Sequence, residues 1–154
     1  MPEKQTIDRA RRDAELGKSA STQAGEFVRE QIEHIRRGHH GARSTKQAIA
    51  IGLSEARRAG VKLPPPKPGT TPKATRQKAV QDLKRGLSPS RPSRTRSRAV
   101  IQALKKEPRA TVSKAALARQ THQAAARRTP AERSAAARKA AATRRRIADN
   151  PIVE

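Results

Sequence analysis

The stretch GARSTKQAIAIGLSEARRAGVKLPPP, residues 41–66, contains the start, the body and the end of one helix. Ser44 and Gln47 have the spacing of a capping box, in which each side chain accepts a hydrogen bond from a backbone N–H group. Gly60 stands where a helix can end in a left-handed residue, and the proline run that closes the stretch cannot continue a helix. We therefore predict a helix over residues 45–59.

One face of this helix is apolar and contains a glycine. At about 100° per residue, the apolar face comprises Ala48, Ile49, Gly52, Leu53, Ala56 and Ala59. The opposite face comprises Lys46, Ala50, Ser54, Arg57 and Arg58. Gly52 costs roughly 1 kcal/mol relative to alanine in a helix interior. Its position on the apolar face predicts that another helix backbone approaches closely there, and Ile51 either meets a third element or stays exposed.

A second amphipathic helix is predicted over residues 22–37. Its apolar side comprises Ala24, Phe27, Val28, Gln31, Ile32 and Ile35, and its charged side comprises Glu26, Arg29, Glu30, Glu33, Arg36 and Arg37. The link of residues 38–43 joins it to the helix over residues 45–59, which predicts an αα-hairpin or a helix-turn-helix. So small a core is marginally stable alone, and a homodimer through residues 22–59 would enlarge it.

The rest of the chain is poor in large apolar side chains. Ile, Leu, Val and Phe make up 22 of 154 residues, and this share of about 14% lies below the roughly 20% under which a highly charged chain is disordered. We predict an all-α protein with a short N-terminal helix or arm over residues 1–20 and a helical hairpin over residues 21–63. A proline-rich linker follows over residues 64–75, and residues 76–154 form a basic, low-complexity tail that is largely disordered and contains transient helices.

Weaker helix signals stand outside the hairpin. Thr6 is the predicted cap and Gly17 the predicted end of the N-terminal helix. Thr129 and Glu132 form a second capping box. The other predictions are a helix over residues 75–87 with Val80, Leu83 and Leu87 on one side, no fold over residues 88–98, and partial helix over residues 113–148.

The formal net charge of +23 is concentrated in the second half of the chain. Residues 1–63 carry 13 basic and 8 acidic side chains, and residues 64–154 carry 23 basic and 5 acidic ones. Lys and Arg neutralise phosphates and release counterions whatever the base sequence, so we predict a nucleic-acid partner. Trp and Tyr are absent and one Phe is present, which favours duplex DNA over single strands read by base stacking. Membrane binding is not expected, because the tail has alanine where bulky apolar residues would be needed.

The candidate nucleic-acid contacts are the cations of the hairpin's polar face and of the tail. They are Arg43, Lys46, Arg57, Arg58, Lys62, Arg91, Arg94, Arg96, Arg98, Lys105, Lys106, Arg127, Arg128, Arg138, Lys139, Arg144, Arg145 and Arg146. If the tail carries most of the affinity, removal of residues 67–154 abolishes most of it.

No motif in the sequence indicates catalysis. The absence of Cys excludes disulfides, Cys-type zinc fingers and thiol chemistry, and no glycine-rich phosphate loop, HExxH motif or serine elbow is present. We predict no enzyme activity, no cofactor and no metal. His39 and His40 have no adjacent Cys or acidic residue, which favours a solvated turn that touches phosphate. Without a signal-peptide core or a long apolar run, an intracellular location is expected.

Two segments carry a family resemblance: STQAGEFVREQIEHIRRG at residues 21–38 and HGARSTKQAIAIGLSEARRAGVKLPPP at residues 40–66. They resemble a family of small basic bacterial proteins of uncharacterised function, commonly labelled DNA-binding or plasmid-stabilisation proteins. The resemblance implies a bacterial source and that role, and it supplies no catalytic residues. Residues 67–148 are similar in composition to linker-histone tails and to bacterial histone-like proteins.

These observations favour a non-enzymatic, nucleoid-associated protein that coats DNA in the bacterial cytoplasm. A sequence-specific helix-turn-helix protein for plasmid maintenance is the first alternative, although a six-residue link is longer than the usual turn of that motif. An RNA- or ribosome-associated chaperone is the second.

Overall fold

The computed structural model describes residues 2–88 and 93–149, and every regular element in that part of the chain is helical. The elements are α1 (Lys4–Glu15), α2 (Ala20–Arg36), α3 (Thr45–Arg58), α4 (Lys73–Leu87), α5 (Arg94–Lys105), a 3₁₀ turn (Ala110–Val112), α6 (Lys114–Ala126) and α7 (Pro130–Asp149). The predicted all-α class is confirmed.

Helices α2 and α3 form the predicted hairpin. Ala24, near the start of α2, lies in one apolar cluster with Ala56, near the end of α3. Ile35, near the end of α2, lies in a second cluster with Ala48, near the start of α3. The two helices therefore run antiparallel. Between the clusters, a Cβ atom at Gly52 would lie 2.6 Å from the Cα of Val28, so the predicted close approach is confirmed.

The residues at the two ends of α3 also act largely as predicted. The Ser44 hydroxyl accepts a hydrogen bond from the N–H of Gln47 at 3.1 Å. The Gln47 side chain accepts one from the N–H of Arg43 at 2.7 Å, one residue earlier than the capping box requires. Gly60 takes a left-handed φ of +97° two residues after the helix ends.

Helix α1 is part of the core instead of a peripheral arm. Ala10 is buried in one cluster with Ala24, Phe27 and Val61. The predicted cap is wrong, because Thr6 lies inside the helix and is fully buried. Its hydroxyl accepts a hydrogen bond from Arg9 and leaves the helix N-terminus without a side-chain cap.

The predicted tail is more ordered than its composition indicated, and α4 packs directly against α3. Ala79 and Asp82 are buried, and the Ser54 hydroxyl donates a hydrogen bond to Asp82 at 2.6 Å. The backbone of α4 at Gly86 lies close to the carbonyl of Arg57. Small residues and a buried hydrogen bond make this contact, so a count of large apolar side chains misses it. Leu87, on the predicted apolar side, is 82% exposed.

A second part of the tail, residues 104–112, docks on the link between α2 and α3. The N–H of Gly41 donates to the carbonyl of Leu104 at 2.8 Å, and the N–H of Ala42 donates to that of Pro108 at 3.1 Å. Val112 is fully buried in the cluster that contains Ile35. These backbone pairs join residues more than 60 positions apart, which no local sequence pattern encodes.

Helices α5, α6 and α7 bury no residue. Residues 94–98 were predicted to be unfolded and lie in α5, whereas residues 89–92 of the same segment are outside the described part of the chain. At the start of α7 the predicted capping box is confirmed. The Glu132 carboxylate accepts a hydrogen bond from the N–H of Thr129 at 2.8 Å. The N–H of Glu132 in turn donates one to the Thr129 hydroxyl at 3.2 Å. This backbone hydrogen bond lowers the pKa of Glu132.

The carboxyl group of Glu55 in α3 should make the stability of the folded state depend on pH. It accepts a hydrogen bond from the Gln31 side chain at 2.7 Å, and burial raises its pKa above the ordinary 4.5. The pKa of Glu55 is higher in the folded state than in the unfolded state. The protein is therefore most stable at pH below the unfolded-state pKa, and this stability is lost as pH rises through the folded-state pKa. We therefore expect Glu55→Gln to withstand more urea than the wild type at pH 7, with a gap that narrows toward pH 4.

The matched control for this variant is Glu33→Gln, which removes an exposed carboxylate from α2. Surface ion pairs contribute about 0–1 kcal/mol, so this change should show no gain at pH 7. Equal pH profiles for the two variants would contradict the assignment of the effect to the burial of Glu55.

Candidate nucleic-acid interface

The ion pairs that the structure describes use cations of the first three helices and the loops beside them. Arg9 pairs with Glu26 at 2.7 Å, Lys18 pairs with Asp13 at 2.7 Å, and Arg58 approaches Asp82 of α4 at 3.8 Å. By contrast, no Lys or Arg within the described residues 73–88 and 93–149 forms an ion pair with a described carboxylate. The charge of the second half is therefore not neutralised within that part of the structure.

The cations of α5–α7 and their connections are all at the surface. Residues 93–149 contain sixteen Lys and Arg against three acidic residues, and every one of the sixteen side chains is exposed. Exposed cations without acidic partners repel one another and attract polyanions. Of the predicted tail contacts, Arg91 lies outside the described residues, and the others belong to this exposed set.

Helix α7 carries the largest number of these cations. Arg138, Lys139, Arg144 and Arg145 are exposed and alternate with alanines. Short alanine side chains leave room for a phosphate backbone to approach the guanidinium and ammonium groups. Arg146 differs, because it donates hydrogen bonds to the carbonyls of Leu16 and Gly17 at 3.2 and 2.8 Å. It joins α7 to the C-terminal end of α1, where helix carbonyls favour a cation.

Fewer of the hairpin's candidate contact residues are exposed than the sequence predicted. Arg43, Lys46, Arg58 and Lys62 are exposed. Arg57 requires a correction, because it is 7% exposed.

The guanidinium of Arg57 donates to the carbonyls of Leu63 at 3.1 Å and Pro64 at 3.2 Å. Burial lowers the pKa of Arg57. The chain beyond α3 folds back over the predicted polar face, so this arginine fixes the exit of the hairpin. It is not available to a phosphate.

Helix α3 packs against four other elements, namely α2, α4, the 3₁₀ turn and α6. Its first residue, Thr45, donates a hydrogen bond to the carbonyl of Thr111 at 2.5 Å, so the tail contacts one side of the helix start, while Arg43 and Lys46 stay exposed there. A recognition helix presents its N-terminal residues to base edges in the major groove. The tail segment at Thr45 occupies part of the space beside that end of α3.

The histidines form a larger group than the adjacent pair in the sequence. The ring of His34 lies 5.0 Å from that of His39 and 6.3 Å from that of His40, measured between centroids. His39 is exposed, as a solvated turn predicts, whereas His40 is half-buried against Gln31 and the Gly41 carbonyl.

His34, which no sequence motif singled out, lies beside two carboxylates, those of Glu3 and Glu30. The available signal was the i, i+4 spacing of Glu30 and His34 on one helix. A hydrogen bond with His34 lowers the pKa of Glu3.

Among the helices that the structure describes, none has both the length and the apolar character needed to cross a bilayer. Comparison with known proteins gives one match, to a family of unknown function (DUF6496), over residues 15–67. No curated protein and no solved structure matches the chain. The matched range contains α2, the link, α3 and the exit from the hairpin, about a third of the chain. The resemblance to an uncharacterised family is thus confirmed for the hairpin, and residues 15–67 are similar to that family of unknown function.

Proposed function

We propose that the protein is a non-enzymatic, histone-like protein of the bacterial nucleoid that binds the phosphate backbone of duplex DNA with little sequence specificity. The observation that carries the proposal is the set of sixteen exposed cations between residues 93 and 149, which form no ion pair with a described carboxylate. Each cation that meets a phosphate releases condensed counterions, which supplies affinity without reading bases. The helices that display these cations bury nothing of their own, so their surface is available to a ligand.

Two further features favour duplex backbone over the other nucleic-acid targets. Phe27 is the one Phe, Tyr or Trp of the chain and is 1% exposed, so no such side chain can stack on an unpaired base. The packing of α3 against four elements, with the tail at its first residue, argues against a sequence-specific helix-turn-helix, since base-edge contacts need a protruding helix. With base stacking and base-edge contacts disfavoured, charge contacts to phosphates are the main contribution to the binding free energy.

The proposal predicts a steep salt dependence of binding. If the chain engages about eight phosphates, log K should fall against log salt with a slope near −7. Fluorescence anisotropy of the full-length chain on a labelled random duplex, from 50 to 400 mM NaCl, measures this slope. A flat dependence would overturn the proposal. Preference for one duplex over a random competitor would favour the plasmid-maintenance alternative, and equal affinity for structured RNA would favour the chaperone alternative.

The fold restricts how the tail can be tested. Removal of residues 67–154 would also remove Ala79 and Val112, which are buried against the hairpin. A loss of affinity in that truncation would therefore mix lost charge with lost structure. Substitutions within α7, which buries no residue, separate the two effects.

A further inference from the structure

Three potential metal ligands converge where the start of α1 meets α2. Glu30 and His34 lie one turn apart on α2, and Glu3 directly precedes α1. His34 Nε2 lies 3.1 Å from Glu3 Oε1 and 3.8 Å from Glu30 Oε1. One ligand atom from each of the three residues lies within 4.8 Å of the other two. The cluster thus combines one imidazole and two carboxylates from two separate elements.

Glu30 occupies an unusual position for a carboxylate. Its side chain is 3% exposed, and its Oε1 accepts a hydrogen bond from the N–H of Glu3 at 3.0 Å. Its Oε2 is buried and has no hydrogen-bond partner among the residues that the structure describes. A buried polar atom without a partner costs free energy, and the cost is larger for a charge. A cation bound by this carboxyl group would offset that cost.

We propose that Glu3, Glu30 and His34 bind a divalent transition-metal ion of the zinc class. Zinc is bound by imidazole nitrogen and carboxylate oxygen at about 2.0–2.2 Å. Ligand atoms around a tetrahedral ion at that distance lie roughly 3.3–3.5 Å apart, and the observed 3.1 and 3.8 Å bracket this separation. Imidazole in the donor set disfavours Ca²⁺ and Mg²⁺, which prefer oxygen ligands alone.

The ion would have a structural effect. It would connect the residue before α1 to the middle of α2, so zinc binding should stabilise the folded state in proportion to the logarithm of its concentration. The site lies in the part of the fold where cations are paired with acids, so it is independent of the proposed DNA contacts.

Isothermal titration of the full-length chain with ZnCl₂ at pH 7 tests this proposal. We expect one zinc ion per chain, together with a visible absorption band when CoCl₂ replaces ZnCl₂. His34→Gln and Glu3→Gln should each lower the zinc affinity at least tenfold. The control is His122→Gln, which removes an exposed histidine of α6 far along the chain and should bind zinc like the wild type. Glu3 is exposed, so its variant remains decisive if His34→Gln does not fold.

Three outcomes would overturn the site. The first is the absence of saturable zinc binding by the wild type. The second is equal zinc affinity of the wild type and the Glu3→Gln variant. The third is zinc binding that a His39→Gln/His40→Gln double variant abolishes and that His34→Gln retains, because the ion would then belong to the adjacent histidine pair.

Discussion

Replacing Arg138, Lys139, Arg144 and Arg145 together by glutamine should weaken binding to random duplex DNA by about a hundredfold or more at 0.1 M salt. All four side chains are exposed on a helix that buries nothing, so the substitutions remove charge without removing core. Each phosphate contact contributes about 0.9 to the slope of log K against log salt, so the slope should become shallower by about 3 to 4. Glutamine has nearly the helix propensity of arginine and lysine, which keeps α7 helical.

The matched control removes four positive charges from the first two helices and their ends. Lys4, Arg11, Arg29 and Arg37 are exposed on α1 and at the charged side of α2, where acidic residues lie close by. Their replacement by glutamine should lower affinity less than tenfold and leave the salt slope nearly unchanged. Equal losses in the two quadruple variants would show that net charge alone sets the affinity, and α7 would then lose its assignment as the contact surface.

The features of the hairpin that were predictable from sequence are encoded within a few residues. Ser44 caps α3 and Gly60 follows its end because capping and left-handed termination depend on local backbone geometry. Gly52 predicted a close neighbour because a glycine on an apolar helix face has a cost that packing must offset. Local signals of this kind also located the start of α7 at Thr129.

The features that sequence reasoning missed depend on residues far apart in the chain. Helical periodicity placed Arg57 on a solvent face, but the carbonyls of Leu63 and Pro64 return to that face and bury it. Glu30 was assigned to the charged side of α2, yet the segment before α1 covers it. The periodicity of a helix sequence does not indicate which other segment of the chain packs over the helix.

The share of large apolar side chains is a poor guide to the size of this fold, because much of its core consists of small residues. Buried alanines, namely Ala10, Ala24, Ala42, Ala48, Ala56 and Ala79, form more than half of the apolar core. Small residues let helix backbones approach closely, and that contact contributes packing without large apolar side chains. A threshold based on Ile, Leu, Val and Phe does not register this kind of core. The exposure of the tail cations follows more directly from the sequence, because charges without ion-pair partners remain at the surface.

Gly52 is a sensitive point of the packing between α2 and α3, and Gly52→Ala should destabilise the protein by about 2–3 kcal/mol. The added Cβ would lie 2.6 Å from the Cα of Val28, 2.8 Å from its nitrogen and 3.0 Å from the carbonyl carbon of Phe27. These are backbone atoms, which cannot rotate away, so α2 must move outward and loosen the clusters on either side. The gain in helix propensity of about 1 kcal/mol offsets part of this cost. Equilibrium urea unfolding followed by circular dichroism measures the difference.

The chain contains its own control for this substitution. Gly25 lies within α2 on an exposed face, and a Cβ there would have no atom within 4 Å. Gly25→Ala should therefore raise the free energy of unfolding by about 0.5–1 kcal/mol, through helix propensity alone. The same substitution should therefore lower the free energy of unfolding at residue 52 and raise it at residue 25. The difference between the two positions is the distance to the neighbouring backbone. A Gly52→Ala variant as stable as Gly25→Ala would mean that α2 and α3 do not pack at this distance, and the hairpin would lose its central contact.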